Sequence, residues 1–164
     1  MNTIIIVIIL IILLPISLGL FRNWQTLNSP SQELFLNGKI PNPKLSGAYK
    51  GSFESFKTSW QGKKFDPSTS FHSDDSSERA GQVQYGVNII DGKEKFPFKT
   101  YVGKGLQDNI DVLKIDYNIP GNPLWVKLLL DELVEIKPGK YLGKVHINLI
   151  PGLPFLVEYF RLEK

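Results

Sequence analysis

The run from residue 111 to 163 contains DVLKIDY (111–117), YLGKVHINL (141–149) and FLVEYFRLE (155–163). In the first, Leu113, Ile115 and Tyr117 alternate with Val112, Lys114 and Asp116. In the second, Tyr141, Gly143, Val145, Ile147 and Leu149 alternate with Leu142, Lys144, His146 and Asn148, so one face is largely apolar and the other largely polar. A strand of that kind is buried on one side only, as in antiparallel sheets and barrels, and His146 is expected at the surface. Pro138-Gly139 and Pro151-Gly152-Leu153-Pro154 separate the strands. Connections that short suit hairpins and leave no room for crossover helices. Because the last strand runs to within a residue of the chain end, the sheet is expected to close on its first strand. The fold expected is mainly β: an antiparallel meander closing into an eight- to ten-stranded barrel, preceded by one N-terminal transmembrane or signal helix.

Upstream of this run the chain offers further strands. GAYKGSF (47–53) carries Tyr49 between glycines, and SWQGKKFD (59–66) carries Trp60 and Phe65 as core candidates. QVQYGVNII and KEKFPFKTYV flank Asp91-Gly92, a strong hairpin signal, and Pro97 demands an edge, a bulge or a strand start. NPLWVKLLLDELVEI (122–136) reads equally as helix and strand; a short helical turn followed by a strand over 132–137 is the expectation.

Three segments follow: a hydrophobic helix over 1–22, a tether over 23–44 without convincing periodicity, and the barrel over 45–164. Residues 4–14 are uninterrupted aliphatics, and the apolar run to Phe21 reaches about 27 Å as a helix, enough for a bilayer core. The absence of a charged side chain before Arg22 favours an anchor over a cleaved signal. The nearby cations, Arg22 and Lys39, follow the span, which by the positive-inside rule leans toward a cytoplasmic domain on a single-pass membrane protein. A cleaved segment would instead give a secreted or periplasmic one.

The chain has no cysteine, so disulfides and thiolate sites are excluded. A net charge of +3 is too small to imply a nucleic-acid partner. Six lysines lie between residues 39 and 64 against one acid, a run that reads either as a solvated face or as a surface for anionic lipid. His72 with Asp74, Asp75 and Glu78 is the only cluster resembling a metal or acid–base site, and its spacing fits neither two-histidine zinc patterns nor a calcium loop. No catalytic set assembles and no cofactor is expected.

Nineteen of the 164 residues are Phe, Tyr or Trp, mostly on the expected strands. They either fill the barrel or line a cavity whose phenol hydroxyls orient a ligand. The residues expected to meet such a ligand are Tyr49, Tyr117, Tyr141, Tyr159 and Arg161. If the Tyr159/Arg161 face points inward, the pair suits the carboxylate or phosphate of an amphiphile; if outward, Arg161 is a surface cation.

Gly47-Ala48-Tyr49-Lys50-Gly51 on the first strand and Tyr159-x-Arg161 on the last resemble the calycin group of lipocalins, fatty-acid-binding proteins and related small bacterial barrels. The resemblance covers about residues 45–163 and implies a central cavity for a lipophilic ligand. Lipocalins usually show Gly-x-Trp where this chain has Tyr49, and fatty-acid-binding proteins show Arg-x-Tyr where this chain has the reverse. The function expected is non-catalytic binding of a hydrophobic or amphiphilic small molecule or lipid beside a membrane. The alternative is a filled barrel acting as an interaction scaffold.

Overall fold

Why the strands close is visible in their pairing. In the computed structural model, which describes residues 3–42, 44–66, 84–150 and 152–164, with side-chain surroundings from residue 13 onward, eight antiparallel strands form one closed barrel in sequence order. They are β1 (Gly47–Phe53), β2 (Trp60–Asp66), β3 (Gln84–Ile90), β4 (Lys93–Lys104), β5 (Asp111–Asp116), β6 (Leu129–Lys137), β7 (Lys140–Ile150) and β8 (Leu153–Glu163). β8 returns to β1 with Lys50 opposite Glu163 and Phe53 opposite Phe160, which leaves the barrel without a free edge.

Turn chemistry sets the register. Asp91 and Gly92 both take positive φ, 52° and 70°, as a type I′ hairpin requires. Gly139, after Pro138, takes φ 74°, the conformation that the third position of a type II turn demands. Pro97 cannot donate to the ladder, and β4 shifts register opposite Gly86 and Asn88, so the proline sits at a bulge. The ambiguous stretch resolves into α3 (Leu124–Lys127) and then β6, which begins at Leu129 rather than at residue 132.

Two apolar clusters share the barrel wall. Tyr49, Phe65, Phe98, Leu133, Phe160 and Leu162 belong to the interior. Val112, Val134, Leu142, Leu156 and Tyr159 form a second cluster on the outside, closed by Phe35. The residues expected as a tether supply its cover: α1 (Thr3–Leu27) continues past residue 22, and α2 (Pro30–Leu36) buries Phe35 completely. Burying one Phe stabilises the docked arm by about 2 kcal/mol.

α1 is pinned to β8. Arg22 Nε donates to Val157 O at 2.9 Å, its guanidinium meets Glu158 at 3.0 Å, and Asn23 Oδ1 accepts from Leu156 N at 2.9 Å. Among the described residues no helix is long and apolar enough to cross a membrane. The expected N-terminal span is therefore met only as a helix, and its terminal cation, expected as a flanking charge, is engaged by the barrel.

The expectation of one polar, solvated face on β7 is corrected. Lys144 and His146 are 0 % exposed. Lys144 is paired with Asp108 from the β4–β5 loop and lies 4.4 Å from the centroid of the Phe35 ring. Neutralising the ammonium and covering it with an aromatic face is what permits its burial. Lys114 is buried against Glu132, which pairs with it at 2.8 Å.

Candidate functional site

The barrel is filled at one end and hollow at the other. At the filled end Tyr49 meets Phe65 and Tyr141 edge-on, with ring centroids 5.6 Å apart in each pair, and Phe65 meets Phe98 at 5.4 Å. At the opposite end, where β1 finishes and β2 begins, a cavity of about 360 Å³ is walled by Phe53, Trp60, Phe96, Leu129, Val145 and Phe160. That volume lies within the range of small-molecule sites.

The hollow follows from where glycine and large rings are placed. Phe160 stands opposite Gly143, and a Cβ on residue 143 would come 2.1 Å from the Phe160 ring. The ring therefore lies against the β7 backbone at Gly143, in space that any side chain there would fill.

The floor of this cavity is polar and comes from four strands. Lys63 rises from β2, Asn88 from β3, Tyr117 from the position just after β5 and Asp131 from β6. Lys63 Nζ donates to Asp131 Oδ2 at 2.8 Å, to Asn88 Oδ1 at 3.0 Å and to the Tyr117 hydroxyl. Its three protons are thus all engaged. The Tyr117 hydroxyl donates to Asp131 Oδ2 at 2.9 Å, and Trp60 Nε1 donates to Asn88 Oδ1 at 2.9 Å. Asn88 Nδ2 donates to Phe96 O at 3.1 Å.

Burial pushes the Lys63 ammonium down from its ordinary range, and the charge and hydrogen bond of Asp131 oppose that shift. Burial, and then the Asp131 charge, push Tyr117 well above the ordinary phenol range, so it remains a neutral hydroxyl. Trp60, Phe98, Tyr117 and Phe160 each place a ring centroid 5.1 to 5.4 Å from Lys63 Nζ, within cation–π range.

The rim is apolar and exposed. α3 carries Leu124, 82 % exposed, and Trp125, whose ring meets Phe96 edge-on at 5.3 Å. Phe56 stacks on Phe53 at 5.0 Å. Phe96 holds φ 50°, an unusual conformation for a bulky residue that costs about 1 to 2 kcal/mol. That conformation, at the Pro97 bulge, sets the Phe96 ring into the cavity wall.

A larger hollow of about 630 Å³ lies outside the barrel, between α1 and the β7–β8 hairpin. Its walls are apolar except for Arg22, whose guanidinium is already held by Glu158, Ser55 and Gln25. The smaller cavity is the better candidate site, because it alone of the two joins an apolar wall to a set of converging polar atoms.

Of the residues expected to contact a ligand, Tyr117 lies on the cavity floor. Tyr49 and Tyr141 belong to the filled end. The inward reading of Tyr159 and Arg161 is corrected: Phe160 and Leu162 point into the barrel, which turns their neighbours out. The Tyr159 hydroxyl donates to Gln32 Oε1 at 2.5 Å beneath α2, and Arg161 pairs with Glu54 at 2.7 Å on the outer surface. His72, Asp74, Asp75 and Glu78 lie outside the described residues.

The sequence reading missed Lys63, Asn88 and Asp131. Lys63 falls within the lysine-rich run, although it sits between Trp60 and Phe65 on a strand with aromatics at both ends. Asp131 is set among the leucines of LLLDELV, a position that signals a buried partner.

His146 joins a second buried polar group, outside the barrel, with Lys144, Lys114, Glu132 and Asp108. Neither ring nitrogen has a hydrogen-bond partner of good geometry among the described residues. Burial, with Lys144 and Lys114 nearby, pushes the imidazole down to about 3, against a smaller opposing effect of Asp108 and the Leu130 backbone.

No protein-family model matches the chain, and neither a curated protein nor a solved structure matches it.

Proposed function

We propose that this protein is a non-catalytic binding module that holds a hydrophobic or amphiphilic small molecule in the open end of its barrel, beside a membrane. The observation that carries this reading is the 360 Å³ cavity, with aromatic walls and a polar floor, opening between exposed apolar residues. The reading accords with a calycin-like barrel, in which a central cavity takes a lipophilic ligand.

The membrane part of the reading rests on direction. α1 runs alongside β8 in the same sense, with Gly19 against Phe155 and Asn23 bonded to Leu156. β8 starts at the open end, so the helix leads back from its docked portion toward the cavity mouth. The aliphatic run 4–14 is read as the membrane attachment, which would turn the rim of Leu124, Trp125 and Leu153 toward lipid. The side of the membrane is read as cytoplasmic from the cations after the run.

Native mass spectrometry of the full chain against its denatured mass tests the reading. A bound small-molecule excess, lost on adding a competing apolar compound, is expected. No excess, together with no thermal shift from any apolar or amphiphilic compound, would overturn it in favour of a scaffold role.

A further inference from the structure

The cavity floor is almost saturated by its own hydrogen bonds, and what it leaves open is specific. All three Lys63 protons are engaged, the Trp60 N–H is engaged, and the Tyr117 proton goes to Asp131. Asn88 directs its amide nitrogen to Phe96 O and Tyr117. Both bonds to Asp131 end on Oδ2, and Oδ1 makes no hydrogen bond among the described residues. Oδ1 is also not among the sealed, unpartnered atoms of the interior.

We infer that the ligand is a neutral molecule with a hydrogen-bond donor, an apolar alcohol or phenol, whose hydroxyl donates to Asp131 Oδ1 while its body lies among Trp60, Phe96 and Phe160. The inference rests on the binding reading above and names the ligand class for that cavity. A carboxylate or phosphate would bring a second anion to Asp131 and find no free donor, since the one cation is fully partnered. An organic cation would meet Lys63 across the same floor. A neutral donor has neither conflict, and an unpaired acceptor discriminates strongly in favour of a ligand that completes it.

Isothermal titration of the full chain with naphthalene, 1-naphthol and 1-naphthoate tests the inference, because the three share one apolar body. Naphthol should bind at least tenfold tighter than either of the others. The double variant Lys63→Met/Asp131→Leu, which removes the ion pair as a unit, should still bind naphthalene and should lose the preference for naphthol. Equal affinities in the wild type, tighter naphthoate binding, or a preference that survives in the double variant would overturn the inference while leaving a binding cavity in place. Failure of all three compounds to bind would instead overturn the reading on which it rests.

Discussion

Lys63 Nζ stands 2.8 Å from Asp131 Oδ2 inside the barrel, with the two side chains only 2 % and 4 % exposed. An ion pair so far from solvent is tolerated because each member satisfies the other, and removing one strands a buried charge. Asp131→Ala and Lys63→Met should each cost about 3 to 5 kcal/mol in urea unfolding at neutral pH. The double replacement Lys63→Met/Asp131→Leu should recover most of that loss. Additive losses would mean that the two charges do not depend on each other.

His146 gives a pH signature with a definite sign. Its folded pKa of about 3 lies below the unfolded value of 6.5, so between those limits the unfolded chain binds the extra proton. The stability associated with neutral His146 is therefore full above pH 6.5 and falls as pH drops below it, by up to about 1.4 kcal/mol per pH unit. Urea midpoints measured from pH 7.5 to 4 should fall more steeply for the wild type than for His146→Leu. Parallel profiles would place the imidazole in solvent.

Gly143 has no room for a methyl group. A Cβ there would stand 2.1 Å from the Phe160 ring, so Gly143→Ala should destabilise the barrel by about 1 to 3 kcal/mol. Combining it with Phe160→Leu should relieve part of that strain, which a thermal melt of the four variants would show as non-additivity.

Arg161 is 37 % exposed at its side chain and pairs with Glu54 outside the barrel. Arg161→Ala should change stability by less than about 1 kcal/mol and leave ligand affinity untouched. A tenfold loss of affinity for an anionic probe would return the side chain to the lumen.

Alternation in 111–117 and 141–149 and the Asp91-Gly92 turn were enough to read an antiparallel meander. These signals are local, because side-chain period and turn conformation are set within a few residues. The outer cluster was harder to read. Val112 and Leu142 are single aliphatics on faces that look polar in isolation, and they join Val134 and Leu156 in a stripe only once the strands are paired. Seen together across the strands, they would have announced that a helix covers that wall. The cavity floor was illegible for the same reason: Lys63, Asn88, Tyr117 and Asp131 come from four strands and are brought together by closure alone. Which way Tyr159 and Arg161 face was open in the sequence, since both alternating sets on that strand carry a charge.

The most direct test fills the cavity and asks where a ligand goes. Val145 and Leu129 both line the hollow, and Val145→Trp or Leu129→Trp would place a large ring in it. Naphthol titrated into the full-chain wild type should bind saturably with one site per chain, and binding should vanish in whichever of the two variants keeps its cooperative thermal melt. Undiminished binding in a folded, filled variant would put the ligand elsewhere, in the groove beside α1, and would contradict the account.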